Sequence, residues 1–255
     1  MAAHEWIAAA YFAAFVLVAW TIPVRAGRRI LASGVSAGVV LLVALSPTLS
    51  PVVRAWMPHV YLLAGYWMPS LLVGSPRSRW FEDWLAASDE RLRSVLPDIS
   101  EPLRHFVELA YLLCYPLIPI SLAIVWTNGG SDDIQRFWVS VLLAGYTCYV
   151  TLPWLVSRPP RLRLERVSRT RLAGVNAFVL GRVSHQLITF PSGHVAVAAA
   201  AAASVAAVSA PVGAVTWALV AAISVGAVAG GYHYVIDVLS GLLVATGAVL
   251  VAMAV

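Results

Sequence analysis

Two short stretches of this chain carry residue types suited to proton and phosphoryl chemistry, and each stands where a long apolar run meets a polar loop. The first is Phe190-Pro191-Ser192-Gly193-His194; the second is Tyr232-His233-Tyr234-Val235-Ile236-Asp237. Pro191 suits the first turn of a helix, where a missing N–H has no partner to lose. Ser192 and Gly193 then leave backbone N–H groups unpaired at a helix start, which is an anion site. His194 falls on that first turn and can exchange a proton near neutral pH. His233 and Asp237 are four residues apart, so on a helix they stack on one face. A carboxylate one turn from an imidazole orients it and stabilises its charged form. Two histidines, one backed by an acid, beside an anion cradle are the parts that pass a phosphoryl group through a phosphohistidine. Each part alone also has a plainer reading: an ordinary helix start, an interfacial histidine, a structural hydrogen bond. The combination at matching ends of neighbouring apolar runs favours the chemical one.

The elements that must position these residues are thin. Residues 195–210 are almost wholly Ala, Val and Ser, and residues 212–230 are nearly as small. Helices of small residues approach closely in a membrane. The chain is expected to pass down one, turn at Ser209-Ala210-Pro211 and return, so that His194 and His233 meet at one end. Gly230-Gly231 lets the backbone bend where the second stretch begins. The polar loop 157–189 carries Arg158, Arg161, Arg163, Arg166, Arg169, Arg171 and Arg182. Guanidinium forks suit bidentate phosphate contact. Arg158 and Arg161, held by the stiff Pro159-Pro160 pair directly after an apolar run, are the expected phosphate ligands. The others read as a solvated or headgroup-facing surface, with His185 a lesser candidate.

Composition bounds the class. The chain has 255 residues, 60% of them hydrophobic and 11% charged, with mean hydropathy +0.82. Soluble domains carry about 25% charged residues, so this is a polytopic, all-α membrane protein. The net charge of +5 comes from Arg alone, without Lys, and fits anionic lipid headgroups. Nucleic acid is not an expected partner, because the arginines flank apolar runs rather than form a soluble face. Cys114 and Cys148 fall inside apolar runs and read as packing residues. No Cys/His spacing suggests a metal site, and no cofactor is expected. Residues 1–23 lack a basic start and have a span-length apolar run, so they read as a retained first helix.

Taken in order, the apolar runs 6–22, 30–49, 52–74, 105–126, 137–156, 195–210, 212–230 and 235–255 give eight spans, or seven if 52–74 is re-entrant. Arg54, Pro58, His59 and Pro69 interrupt 52–74. Pro116 and Pro119 are expected to kink 105–126, which also carries Glu108, either at membrane depth or solvated at the interface. Residues 127–136 read as a turn-rich loop. Residues 80–96 differ: Trp80, Phe81, Trp84, Leu85, Leu92, Val95 and Leu96 share one helical face, with Glu82, Asp83, Asp89, Glu90, Arg91 and Arg93 mostly elsewhere. That pattern is an amphipathic helix in the interface, serving as connector or as a lipid ramp. Two segments follow: N-terminal membrane helices over 1–74, and an interfacial helix plus catalytic core over 75–255.

Phe190 to His194 and His233 to Asp237 resemble the second and third motifs of the type-2 phosphatidic acid phosphatase superfamily, membrane lipid-phosphate phosphatases and phosphotransferases. The resemblance covers roughly residues 80–250. It implies that His233 is the nucleophile, Asp237 its orienting partner and His194 the acid for the leaving group. That family's first motif is a Lys followed seven residues later by Arg-Pro; Arg158-Pro159 supplies the second half, while Thr151 stands in place of the Lys. Its third motif opens with Ser-Arg, where this chain has Gly226-Ala227. Pro159-Pro160-Arg161 is closer to the Pro-Pro-Arg variant of the inositol-phosphorylceramide-synthase-like branch.

The expected substrate is a lipid phosphate or polyprenyl diphosphate, hydrolysed without a metal. Transfer of a phospho-headgroup to an alcohol, and non-catalytic lipid-phosphate binding or transport, are the alternatives. If 52–74 crosses, Arg25, Arg28 and Arg29 lie on the site's side, which the positive-inside rule puts in the cytoplasm. If it does not, they lie opposite and the site faces outward. With phosphate-binding arginines left out of the count, an extracytoplasmic site is expected.

Overall fold

Apolar runs in lipid leave backbone polar groups no partner but each other, so they fold as helices. The computed structural model describes residues 1–73, 80–93, 99–163, 174, 178, 181–182, 187 and 189–255. Its helices are α1 (Ala3–Thr21), α2 (Ala26–Leu45, followed by a 3-10 turn Ser46–Thr48), α3 (Pro51–Trp56), α4 (Pro58–Leu71), α5 (Trp80–Arg93) and α6 (Glu101–Leu112). They continue with α7 (Cys114–Asn128), α8 (Ser131–Tyr149), α9 (Pro160–Arg163), α10 (Gly193–Val208), α11 (Ala210–Ala229) and α12 (Val235–Met253). The regular elements among the described residues are all helical, as composition required.

Helices α8 and α10 form the axis. α8 packs on α10, α12, α4, α1 and α7, and buries Phe137, Trp138, Val141, Leu142 and Tyr146. α10 packs on α8, α11, α12 and α7, and every residue from 195 to 202 is buried. Small residues allow this closeness: a Cβ on Gly213 would strike the backbone of Ala206, and one on Gly241 would stand 2.7 Å from the Ser192 carbonyl. One buried apolar cluster runs from Ala8 and Val39 through Tyr61 to Trp138, Ala200 and Ala248. The helices before residue 74 and those after it therefore share a core. Leu17, Leu41, Leu63, Val215 and Leu243 are exposed on the outside of the bundle, where lipid would meet them.

The span count differs from expectation. Four helices are long and apolar enough to cross a membrane, Ala3–Thr21, Ala26–Thr48, Ala210–Ala229 and Val235–Met253; Glu101–Leu112 with Cys114–Asn128 makes a fifth as one span bent by 59°. Seven or eight are not found among the described residues. α8 opens with Asp132, Asp133 and Arg136, α10 has 16 residues, and the run 52–74 breaks at Met57-Pro58 into a 6-residue and a 14-residue helix. The loop expected over 127–136 shrinks to Gly129-Gly130, because α7 continues to Asn128 and Asp133 reaches back to accept the Gly130 N–H at 2.8 Å. The kink expected at Pro116 and Pro119 falls earlier, at Leu113. The Pro116 ring cannot coexist with a helical carbonyl at Leu112, so α6 stops and α7 restarts with Pro116 in its first turn.

Three contacts fix which helix ends lie together. Arg28 donates to the Val73 carbonyl at 2.9 Å, joining the start of α2 to the end of α4. Tyr66, in the later half of α4, lies against the His194 ring at 6.1 Å between centroids. At the other end Glu5 pairs with Arg54 (2.7 Å) and accepts from Ser46 (2.6 Å). So α1, α2 and α3–α4 traverse the bundle in turn, and Arg25, Arg28 and Arg29 stand at the histidine end.

Candidate active site

Ser192 is the N-cap of α10: its hydroxyl accepts the Val195 N–H at 3.4 Å. Pro191 therefore lies just outside the helix, after a cis Phe190–Pro191 peptide, and not in its first turn. The expected anion cradle is not open. The Ser192 N–H donates to the Asp237 carbonyl at 3.0 Å and the Gly193 N–H to the Thr189 hydroxyl at 3.1 Å. Both residues are buried. A loop that enters a buried helix start must satisfy these donors internally. The Ser192 bond ties the start of α10 to the start of α12, and the Gly193 bond ties it to the preceding loop.

Thr151 explains why the loop before α10 holds its place. Its hydroxyl donates to the Phe190 carbonyl at 2.6 Å, from the turn that follows α8. The side chain at the position of the missing Lys is thus a buttress for the Phe190 segment.

The second stretch turns at Gly231, whose φ of +66° is open to glycine and costly for other residues. Its carbonyl accepts the Arg161 N–H at 3.0 Å, and a Cβ there would press within 3.2 Å of Arg161. The Tyr232 and His233 N–H groups both donate to the Ala227 carbonyl at 2.9 Å. Tyr234 then caps α12, and Asp237 at the third helical position reaches back to accept the Tyr234 N–H at 3.0 Å. The same carboxylate oxygen lies 3.4 Å from His233 Nδ1. Asp237 is fully buried and His233 is 3% exposed.

The two imidazoles face one another across the ends of α10 and α12, with ring centroids 5.9 Å apart. α11 carries the chain back over the length of α10, which is why residues 39 positions apart in sequence meet. Around His194 stand Tyr66 of α4, Tyr111 of α6 and Tyr115 of α7, at 6.1, 5.9 and 5.8 Å between ring centroids. Tyr111 stacks on Tyr232 at 4.3 Å. These tyrosines were not read from the sequence; only their positions inside apolar runs hinted at a reason for polar rings there.

The two expected phosphate ligands differ. The Arg161 guanidinium lies over the Tyr232 ring at 4.6 Å, next to His233 in the chain. Arg158 is instead held by Glu82 of α5, with Nε to Oε1 at 3.0 Å, Nη2 to Oε2 at 3.2 Å, and its own N–H to Oε1 at 2.9 Å. The carboxylate raises the Arg158 pKa further, so the group stays charged but is already matched. Arg182 lies over the exposed Phe178 ring at 3.7 Å. Arg166, Arg169, Arg171 and His185, and the side chain of Arg163, lie outside the described residues.

Helix α5 also departs from a simple amphipathic pattern. Phe81 and Leu85 are buried as expected, but so are Glu82 (8% exposed) and Asp89 (2%), while Trp80 and Trp84 face outward. Asp89 Oδ1 accepts the Val235 N–H at 2.8 Å, and Phe81 packs on Phe190 at 5.3 Å. Glu82 and Asp89 are two turns apart, a spacing that ties one face of α5 to Arg158 and to the His233 segment. Glu108 is fully buried in α6, not in a solvated interface. Val107, its neighbour, meets Gly226: a Cβ on that glycine would run into the Val107 carbonyl. At the position of the family's Ser-Arg pair, α6 and α11 are in backbone contact.

Comparison with known proteins agrees with this geometry. No curated protein and no solved structure matches the chain. A family model described as the PAP2 superfamily matches residues 78–251, from the α5 region through α12, and so takes in every residue just placed around His233 except Tyr66. The chain is an integral membrane helix bundle and belongs to the PAP2 superfamily, the type-2 phosphatidic acid phosphatases, a family of lipid-phosphate phosphatase and phosphotransferase type.

Proposed function

We propose that the protein hydrolyses a lipid phosphate, a phosphomonoester or diphosphate of the phosphatidate or polyprenyl type, through a phosphohistidine. The observation that carries this reading is the facing pair of imidazoles, 5.9 Å apart, with Asp237 behind one of them. Asp237 holds the proton on His233 Nδ1, which leaves the Nε2 lone pair to attack phosphorus. The Nδ1–Oδ2 distance of 3.4 Å is long for a charge-assisted bond and would shorten as the ring becomes cationic. As the N–P bond forms, the P–O bond to the leaving group breaks (the lipid alcohol of a monoester, the lipid monophosphate of a diphosphate), and His194 gives its proton to the departing oxygen. His194 then takes a proton from water, whose oxygen attacks phosphorus and releases inorganic phosphate and free His233. Arg161 faces the non-bridging oxygens. Bundle helices open to lipid on their outer faces bring an amphiphilic substrate to a site at one end of the bundle.

Attack by an alcohol in place of water turns the same intermediate toward headgroup transfer. Pro159-Pro160-Arg161 favours this second outcome. The deciding measurement is phosphate release by purified protein from phosphatidate and from undecaprenyl diphosphate, with and without chelator. His233→Ala should abolish turnover with the helical signal retained. Retained phosphate release in that variant rejects the assignment. Phosphate appearing only as an alcohol ester assigns transfer, and a lipid phosphate bound with no trapped phosphohistidine assigns binding alone.

A further inference from the structure

The ring cage around His194 contains a hydroxyl that the cycle above leaves unused. Tyr115 stands in the first turn of α7, directly after the bend from α6, with its ring edge-on to His194 (5.8 Å, 80° between planes). Its hydroxyl oxygen is shielded from solvent and has no hydrogen-bond partner. A buried hydroxyl left without a partner costs about 1–3 kcal/mol. A Phe would fill the same space without that cost, and a donor kept at that cost beside a histidine pair and a guanidinium suits a bound acceptor.

The same site carries fewer cations than its motifs call for. Thr151 stands in place of a Lys and is spent on the Phe190 carbonyl. Gly226-Ala227 stand in place of Ser-Arg, and the α6–α11 contact leaves no room for a side chain at 226. Arg158 is matched by Glu82. Among the described residues a phosphoryl group held between the two histidines would therefore be short of donors, and the Tyr115 ring stands against one of those histidines.

We infer that Tyr115 is a substrate-contacting residue: its phenol donates a hydrogen bond to a non-bridging phosphoryl oxygen, beside Arg161, in place of the missing cationic side chains. This rests on the phosphohistidine reading above. A phenol at neutral pH is a neutral donor, so it holds a phosphoryl oxygen without binding a free anion strongly in the ground state. Its hydrogen bond strengthens as negative charge builds on that oxygen in the transition state.

The test uses full-length protein in phosphatidylcholine nanodiscs, with orthovanadate as a five-coordinate phosphoryl mimic and phosphatidate as substrate. Wild type, Tyr115→Phe and Tyr146→Phe are compared. Tyr146 has an equally shielded, unpartnered hydroxyl, but it packs on Tyr11 and Phe12 in the core, away from the histidines. Tyr115→Phe should lower kcat and vanadate affinity by about tenfold to a hundredfold, the range for losing a hydrogen bond to a charged acceptor. KM should move less than kcat, and Tyr146→Phe should match wild type in all three. A Tyr115→Phe protein with wild-type kcat and vanadate affinity overturns the inference while the phosphohistidine reading stands. Equal losses in both variants overturn it as well, since they would report packing alone. A wild type that neither binds vanadate nor turns over any lipid phosphate removes the functional reading and this inference with it.

Discussion

Asp89 of α5 accepts the Val235 N–H at 2.8 Å, two residues beyond His233. The first N–H groups of a helix have no partner within it, and here a carboxylate from a distant helix supplies one. Asp237 supplies the neighbouring acceptor, for Tyr234. Two acids from different parts of the chain thus fix the start of α12, and with it the direction of the His233 ring.

Removing the remote acceptor should therefore disturb catalysis through position. Asp89→Ala is expected to lower kcat by about tenfold and to destabilise the protein by about 1 kcal/mol, the usual worth of a helix cap. Asp89→Asn, which keeps an acceptor oxygen, should recover most of both. Steady-state kinetics with a thermal unfolding midpoint on each variant decide it. If Asn behaves like Ala, charge and not the cap is what matters.

Arg158 and Arg161 should separate sharply. The Arg158 side chain is 52% exposed and already paired with Glu82, and such half-exposed pairs contribute under about 1 kcal/mol. Arg158→Gln should cost less than about tenfold in kcat/KM, and Glu82→Gln a similar amount, with the double variant no worse than either alone. Arg161→Gln should cost about a hundredfold, the range for losing one preorganised donor. A larger loss at Arg158 than at Arg161 would return Arg158 to the phosphate.

Rebuilding the family's motif at 226–227 should fail. Gly226→Ser pushes a side chain into the Val107 carbonyl, and overpacking of this kind costs about 1–3 kcal/mol. A lowered unfolding midpoint, with α6 displaced from α11 and the Tyr111–Tyr232 stack disturbed, is the expected result. A stable Gly226→Ser, Ala227→Arg protein with raised activity would show that the close helix approach is dispensable.

With Arg25, Arg28 and Arg29 at the histidine end, the positive-inside rule predicts that this end faces the cytoplasm. Arg25, Arg28 and Arg29 need not bind phosphate to stand there, and Arg28 is already used by the Val73 carbonyl. Both native cysteines are buried, so an impermeant thiol reagent will report engineered positions. Gly27→Cys, with open space around it, should be labelled only after the membrane is opened, and Ser131→Cys from outside on intact cells. The reverse pattern turns the active site outward.

Much of this was legible along the chain, and for identifiable reasons. His194, His233 and Asp237 could be paired because helical geometry converts spacing into a shared face, and because two successive runs of small residues return the chain to its starting end. Arg158 could not be told from Arg161, since the partner that occupies it, Glu82, is 76 residues away and sits on a helix whose acidic side looked solvent-facing. The open N–H groups expected at Ser192 and Gly193 were closed by Asp237 and Thr189, one distant and one irregular in position. Fewer helices pass as spans because runs that read as continuous are broken or short in the fold: 52–74 splits at Met57-Pro58, and α10 has 16 residues and is enclosed by α8, α11, α12 and α7.

The sequence by itself determined an all-helical membrane bundle, the two histidine motifs and the carboxylate four residues from one of them, because composition and helical periodicity are local properties. Only the tertiary structure decided which arginine Glu82 occupies, which buried acids hold α12, and which tyrosines ring His194. Each of those depends on a partner supplied by a distant segment, and burial makes such partners obligatory without any local pattern announcing them.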